Sequence, residues 1–143
     1  MRRFRFPLDR VRRWREEQAT LEELKLRRLY GQMAALAGGK AQAADQRAAS
    51  EREILEQDFI EADQLRALDA FRGHVRGKIG QIEKREREVA GEIERQRARL
   101  MEARQRAELL ERLKRKMFEE WRTLADREEE TVAGELYLAK WRR

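Results

Sequence analysis

From Leu65 onward, stepping alternately by three and four residues gives Leu65, Leu68, Arg72, Val75, Ile79, Ile82, Glu86, Val89 and Ile93. The same series runs on through Gln96, Leu100, Ala103, Ala107, Leu110, Lys114, Met117, Trp121 and Leu124, and weakens at Glu128, Thr131 and Glu135 before Leu138. About two thirds of these positions are apolar, against 41% for the whole chain. A 3.5-residue repeat held this long without a stutter specifies one helix with a narrow apolar seam, supercoiled about a partner. At about 1.5 Å per residue that helix is roughly 110 Å long.

The partner has to come from the first half, whose pattern is less regular. Trp14, Leu21 and Leu24 share one register, whereas Leu26, Leu29, Met33 and Leu36 share another. Alanines dominate from Ala34 to Ala49, and Gly38-Gly39 offers a possible kink. Pro7 suits a first helical turn, where its missing N–H is not needed, and Phe4 and Phe6 stand ready to staple that turn. Two aspartates and an interrupted pattern place the chain reversal at about 57–64. The expected architecture is therefore all-α: a single domain, 1–143, folded as a long two-helix antiparallel coiled-coil hairpin. Its first helix covers about 7–57 and its second about 65–140, the C-terminal helix being longer and overhanging from about Phe118.

Charged residues make up 43% of the chain, and mean hydropathy is −0.97. Such a composition suits either disorder or a long helix that buries one stripe, and the periodicity selects the helix. There are no cysteines, so disulfides and thiolate metal sites are excluded. The start Met1-Arg2-Arg3-Phe4-Arg5-Phe6 resembles the charged part of a signal or transit peptide, but Asp9, Arg10, Arg12 and Arg13 interrupt any apolar core. No apolar run is long enough to span a bilayer. The expectation is a soluble protein with peripheral membrane contact at most. Seven arginines against Asp9 within residues 1–15 already equal the net charge of +6. Lys140, Arg142 and Arg143 add three more, so the intervening residues total −3 and the basicity sits at the two ends.

Catalytic chemistry is poorly supplied. His74 is the only histidine and Ser50 the only serine, so nucleophile–base chemistry has a single Ser–His combination to draw on and none with cysteine. Gly39-Lys40 lacks the first glycine, the following hydroxyl and the preceding strand of a phosphate loop. No cofactor, metal or small-molecule substrate is expected. Gly73, Gly77, Gly80 and Gly91 form a stripe outside the seam, readable as drift or as a surface for close approach beside Phe71. The arginine-rich start, interleaved with Phe4, Phe6 and Trp14, could touch nucleic acid or an acidic membrane, but no heptad zipper follows it and nucleic acid is the weaker reading.

The opening Phe4-Arg5-Phe6-Pro7-Leu8-Asp9-Arg10-Val11 resembles the F-x-F-x-L-x-x-V/L start of FliJ-family proteins of the bacterial flagellar export apparatus. The closing Phe118-x-x-Trp121-Arg122, Arg127-Glu128-Glu129 and Glu135-Leu136 are similar to that family's last motif, with Gly134 standing where it carries an acid. The resemblance spans the chain through short motifs. It implies a non-enzymatic, cytoplasmic stalk, peripherally associated with the inner face of the cell membrane and serving flagellar protein export and motility. Such a stalk inserts the end bearing both termini into the hexameric export ATPase, touches the membrane export gate after the turn, and escorts free export chaperones. On that reading Arg10, Arg12, Arg13 and Arg15 bind the ATPase, and Phe71, Val75, Lys78 and Ile82 occupy the gate-contacting positions. The equivalent stalk of a virulence-type III secretion system and a generic coiled-coil scaffold are the alternatives.

Overall fold

The computed structural model describes residues 2–142; Met1 and Arg143, the latter the last cation of the expected basic C-terminus, lie outside the described residues. Two helices account for nearly all of it: α1, Asp9–Leu55, and α2, Ala62–Trp141. They form a helical hairpin with the C-terminal helix the longer. The chain divides into two compact units, each containing a piece of both helices. The turn unit is Glu23–Arg99; the terminal unit joins the chain up to Glu22 with the chain from Leu100 onward.

In the turn unit the helices run antiparallel. Moving away from the loop, Glu51 meets Arg72 at 2.7 Å, Lys40 meets Glu86 at 2.9 Å, and the Arg97 Nε–H donates to the Tyr30 hydroxyl at 2.9 Å. On α2 the seam is the one read from the sequence. Leu68, Val75, Val89, Ile93 and Gln96 are buried, Val89 completely, while Arg72, Ile79, Ile82 and Glu86 are half-buried. On α1 the structure selects the register of Leu26, Leu29, Met33 and Leu36 and extends it, at unbroken three–four spacing, through Lys40, Ala43, Arg47, Ser50 and Ile54. Leu26 and Ala43 are its best-covered members. The rival register of Trp14, Leu21 and Leu24 remains close to half exposed.

The loop is shorter than expected and lies earlier, at residues 56–61. The apolar repeat alone points to a second helix from about 65, where it resumes. The backbone begins α2 at Ala62 because Gln64 caps it: the Glu61 N–H donates to the Gln64 Oε1 at 3.1 Å, while the Glu61 carbonyl accepts from the Gln64 and Leu65 amides. This is the returning half of a capping box, with the glutamine three residues inside the helix. At the other end α1 starts at Asp9, not 7. The Asp9 amide closes onto the Phe6 carbonyl at 3.2 Å, leaving Pro7 in the turn ahead of the helix, and the Asp9 carboxylate lies in the first turn, where the helix dipole favours it. Gly38-Gly39 does not interrupt α1. A Cβ on Gly39 would lie 3.8 Å from the Ile82 Cδ1, an ordinary contact, so the glycine marks where the helices come close without being required there.

The two α1 registers differ sharply in what truncation should cost. Leu26→Ala opens a cavity in the seam and should cost about 2–5 kcal/mol, whereas Leu21→Ala should stay within about 0.5 kcal/mol. Urea unfolding followed by circular dichroism measures both; equal losses would mean that the exposed register also packs.

Candidate functional site

The terminal unit brings the two ends of the sequence together. Residues 2–6 run non-helically along α2, held by aromatic contacts. The Phe4 ring meets Phe118 edge-on, centroids 5.2 Å apart, and lies 5.8 Å from Trp121; Phe118 and Trp121 themselves stack at 5.7 Å. The Trp121 Nε1–H donates to the Arg2 carbonyl at 3.3 Å, and Phe6 is buried. Such aromatic pairs contribute roughly 0.5–1.5 kcal/mol each beyond the area they bury. This clasp corrects one expectation. The overhang of α2 starts later than Phe118, because the segment that precedes the start of α1 packs on Phe118 and Trp121. Full exposure begins after Ala125, which is buried in place of the heptad residue Leu124, itself 60% exposed.

Beside the clasp, Arg12 occupies a seam position with its side chain only 13% exposed. Its guanidinium reaches Asp9 and Glu111 at 2.8 Å and Glu16 at 2.9 Å. Asp9 also meets Arg13 at 3.1 Å and Lys114 at 3.5 Å. The hydrogen bond from Arg12, reinforced by the charges of Arg12, Arg13 and Lys114, holds the Asp9 carboxyl below its ordinary value against the opposing effect of burial. Arg12 is therefore a structural cation. The other residues of the expected ATPase-binding set differ from it. Arg10 is exposed and without an ion pair among the described residues, Arg13 is exposed but tied to Asp9, and Arg15 lies 4.7 Å over the Trp14 ring. Sequence reasoning singled out neither Arg3 nor Arg5 as binding residues, yet both are exposed and line a groove of about 490 Å³ with Phe4, Phe6, Arg13 and Lys114. They project from the clasp that the F-x-F spacing builds.

Past Ala125 every described residue is exposed. Val132, Leu136, Tyr137, Leu138 and Trp141 are each at least half exposed, and the Tyr137 and Trp141 rings lie 6.0 Å apart. Apolar side chains are thus concentrated on one solvated helix end, as on surfaces that other proteins use to bind partners.

In the turn unit the four expected gate residues separate into two kinds. Val75 is buried and Ile82 faces Gly39, so both serve the seam; Phe71 is half-buried and Lys78 is exposed. Only the latter pair is open to a partner. The loop adds a feature the heptad search passed over, Phe59 at 78% exposure with Leu55 and Leu65 also exposed on either side. Gly73, Gly77 and Gly80 have open space where a Cβ would stand. Among the described residues there is no cluster of three or more His, Asp or Glu that could hold a metal, and no helix is long and apolar enough to cross a membrane. Comparison with family models, with curated proteins and with solved structures finds no match to this chain.

Because the folded Asp9 pKa is depressed, its contribution to stability is complete above the ordinary value of 3.8 and is lost as pH falls through the lower folded value. Melting temperature should therefore hold steady near neutrality and drop in strong acid. Arg12→Gln should lower the melting temperature at pH 7 and flatten that acid slope, while Arg10→Gln changes neither. Equal behaviour of the two variants in a calorimetric pH series would refute the distinction.

Proposed function

We propose that this protein is a non-enzymatic stalk of a flagellar-type protein export apparatus, docking through its terminal unit into the ring of the export ATPase and reaching the membrane export gate through its turn unit. The observation that carries the reading is the contact between Phe4 and the Phe118–Trp121 pair. The F-x-F start and Phe118-x-x-Trp121, the first part of the closing stretch that also includes Arg127-Glu128-Glu129 and Glu135-Leu136, belong to the two segments that carry the family resemblance, and in this chain they are two halves of one clasp. Their packing gives the spacing of both motifs a physical purpose.

Electrostatics supports the same assignment. The clasp and the first turn of α1 carry Arg3, Arg5 and Arg10 outward, and their like charges repel one another in solution. An acidic pore lining would relieve that repulsion and make docking sensitive to salt. The solvated apolar face from Val132 to Trp141 supplies hydrophobic area to the same contact. At the gate, Phe71 and Lys78 are the accessible members of the expected set. Export chaperones belong to the same proposal, through whichever accessible surface the ATPase and gate leave uncovered.

Arg12 has to be left intact in testing this, since its loss would disturb the fold. Reversing Arg3, Arg5 and Arg10 to Glu should leave the melting temperature within a few degrees while abolishing stimulation of the export ATPase at low salt. Phe71→Ala should weaken gate binding without altering ATPase stimulation. Stimulation that survives the triple reversal across a salt titration would rule out docking through the basic end, and retention of DNA by the wild type alone would point to nucleic acid instead.

A further inference from the structure

The turn unit contains a basic groove of about 440 Å³ outside the features used above, lined by Lys25, Arg28 and Leu29 of α1 and by Glu92, Arg95 and Arg99 of α2. Lys25, Glu92 and Arg99 immediately precede seam residues, the positions where antiparallel helices ordinarily set opposite charges against one another. Here Arg28, Arg95 and Arg99 face one carboxylate, Glu92, which is also engaged 3.5 Å from Arg85, while Lys25 has a partner of its own. Arg28, Arg95 and Arg99 make no ion pair among the described residues. The groove has no aromatic side chain on which a base could stack. Its backbone amides are spent in helices, so only side chains can receive an anion. Cations repeat along each helix at three- and four-residue intervals, about 5–6 Å apart, which is the spacing of carboxylates on one face of another helix.

The chain itself offers such a face. Residues 126–135 hold five acidic side chains against Arg127, and all of them are exposed. Glu128, Glu129, Val132, Glu135 and Leu136 recur at helical spacing on one side of α2, with Val132 and Leu136 solvated. We infer that the groove of one copy receives this face of a second copy. Glu128, Glu129 and Glu135 meet the Arg28, Arg95 and Arg99 guanidiniums, and Val132 and Leu136 lie against Leu29. Arginine suits the role because its planar fork matches a carboxylate with two parallel bonds. The inference does not rest on the export reading, and Val132 and Leu136, which that reading turns toward the ATPase, serve one of the two contacts at a time.

Sedimentation equilibrium on the full chain tests it. The wild type should associate reversibly, with the association constant falling at least about tenfold between low and high salt as screening grows. Arg95→Glu with Arg99→Glu, and separately Glu128→Lys with Glu129→Lys, should each be monomeric while keeping wild-type helicity, since all four side chains are exposed. Mixing the two variants should restore association, because each brings the charge the other lacks. A wild type that stays monomeric at low salt, association that survives in both variants, or a mixture that does not associate would each overturn the inference.

Discussion

Charges placed inside the seam are the constraint on which the arrangement of both helices depends. A coiled coil whose seam were wholly apolar could slide by a heptad at little cost, whereas a cation at a seam position must find its carboxylate. In the turn unit Lys40 finds Glu86, and Arg72 finds Glu51, which Arg47 also holds at 3.1 Å. The Glu86 Oε1 is enclosed and lies 2.9 Å from the Lys40 ammonium, and the hydrogen bond and charge of that pair hold the Lys40 pKa above its ordinary value. Hydrogen bonds from Arg47 and Arg72 keep the Glu51 carboxyl below its ordinary range. In the terminal unit Arg12, with Asp9, Glu16 and Glu111, does the same for its own piece of the hairpin.

Those charges also explain which parts of the fold were legible in the sequence. The α2 seam could be read because its members between Val75 and Trp121 are mostly Val, Ile, Leu, Ala and Met; the structure covers all of them to some degree. The α1 seam has the same period but fills it with Lys40, Arg47 and Ser50 beyond Leu36, so a search for apolar residues loses it there. Trp14, Leu21 and Leu24 then compete for notice because hydrophobicity alone does not say which stripe a partner will cover. The loop boundary was missed because a glutamine side chain, not a glycine or proline, starts α2.

The candidate surfaces were legible in a different measure. Clustering of arginine at the start was plain from composition, but composition cannot separate Arg12, enclosed by carboxylates, from Arg10, which is in solvent. Nor could it assign Phe4 to Phe118, since the contact joins residues at opposite ends of the chain. Val75 and Ile82 illustrate the converse: they fall at positions named by resemblance, yet their burial commits them to the seam and leaves Phe71 and Lys78 to meet a partner. The proposed ATPase and gate contacts accordingly fall to residues the seam does not use.

The dependence of the fold on seam charge is tested most directly by exchanging one pair. Lys40→Glu and Glu86→Lys each place like charges together inside the turn unit, and each should lower the melting temperature markedly. Combining them restores opposite charges in reversed order, and the double variant should recover most of the loss at pH 7, with the recovery shrinking as salt rises. Melting temperatures that simply add, with no recovery in the double variant, would contradict the claim that this pair sets the register of the helices.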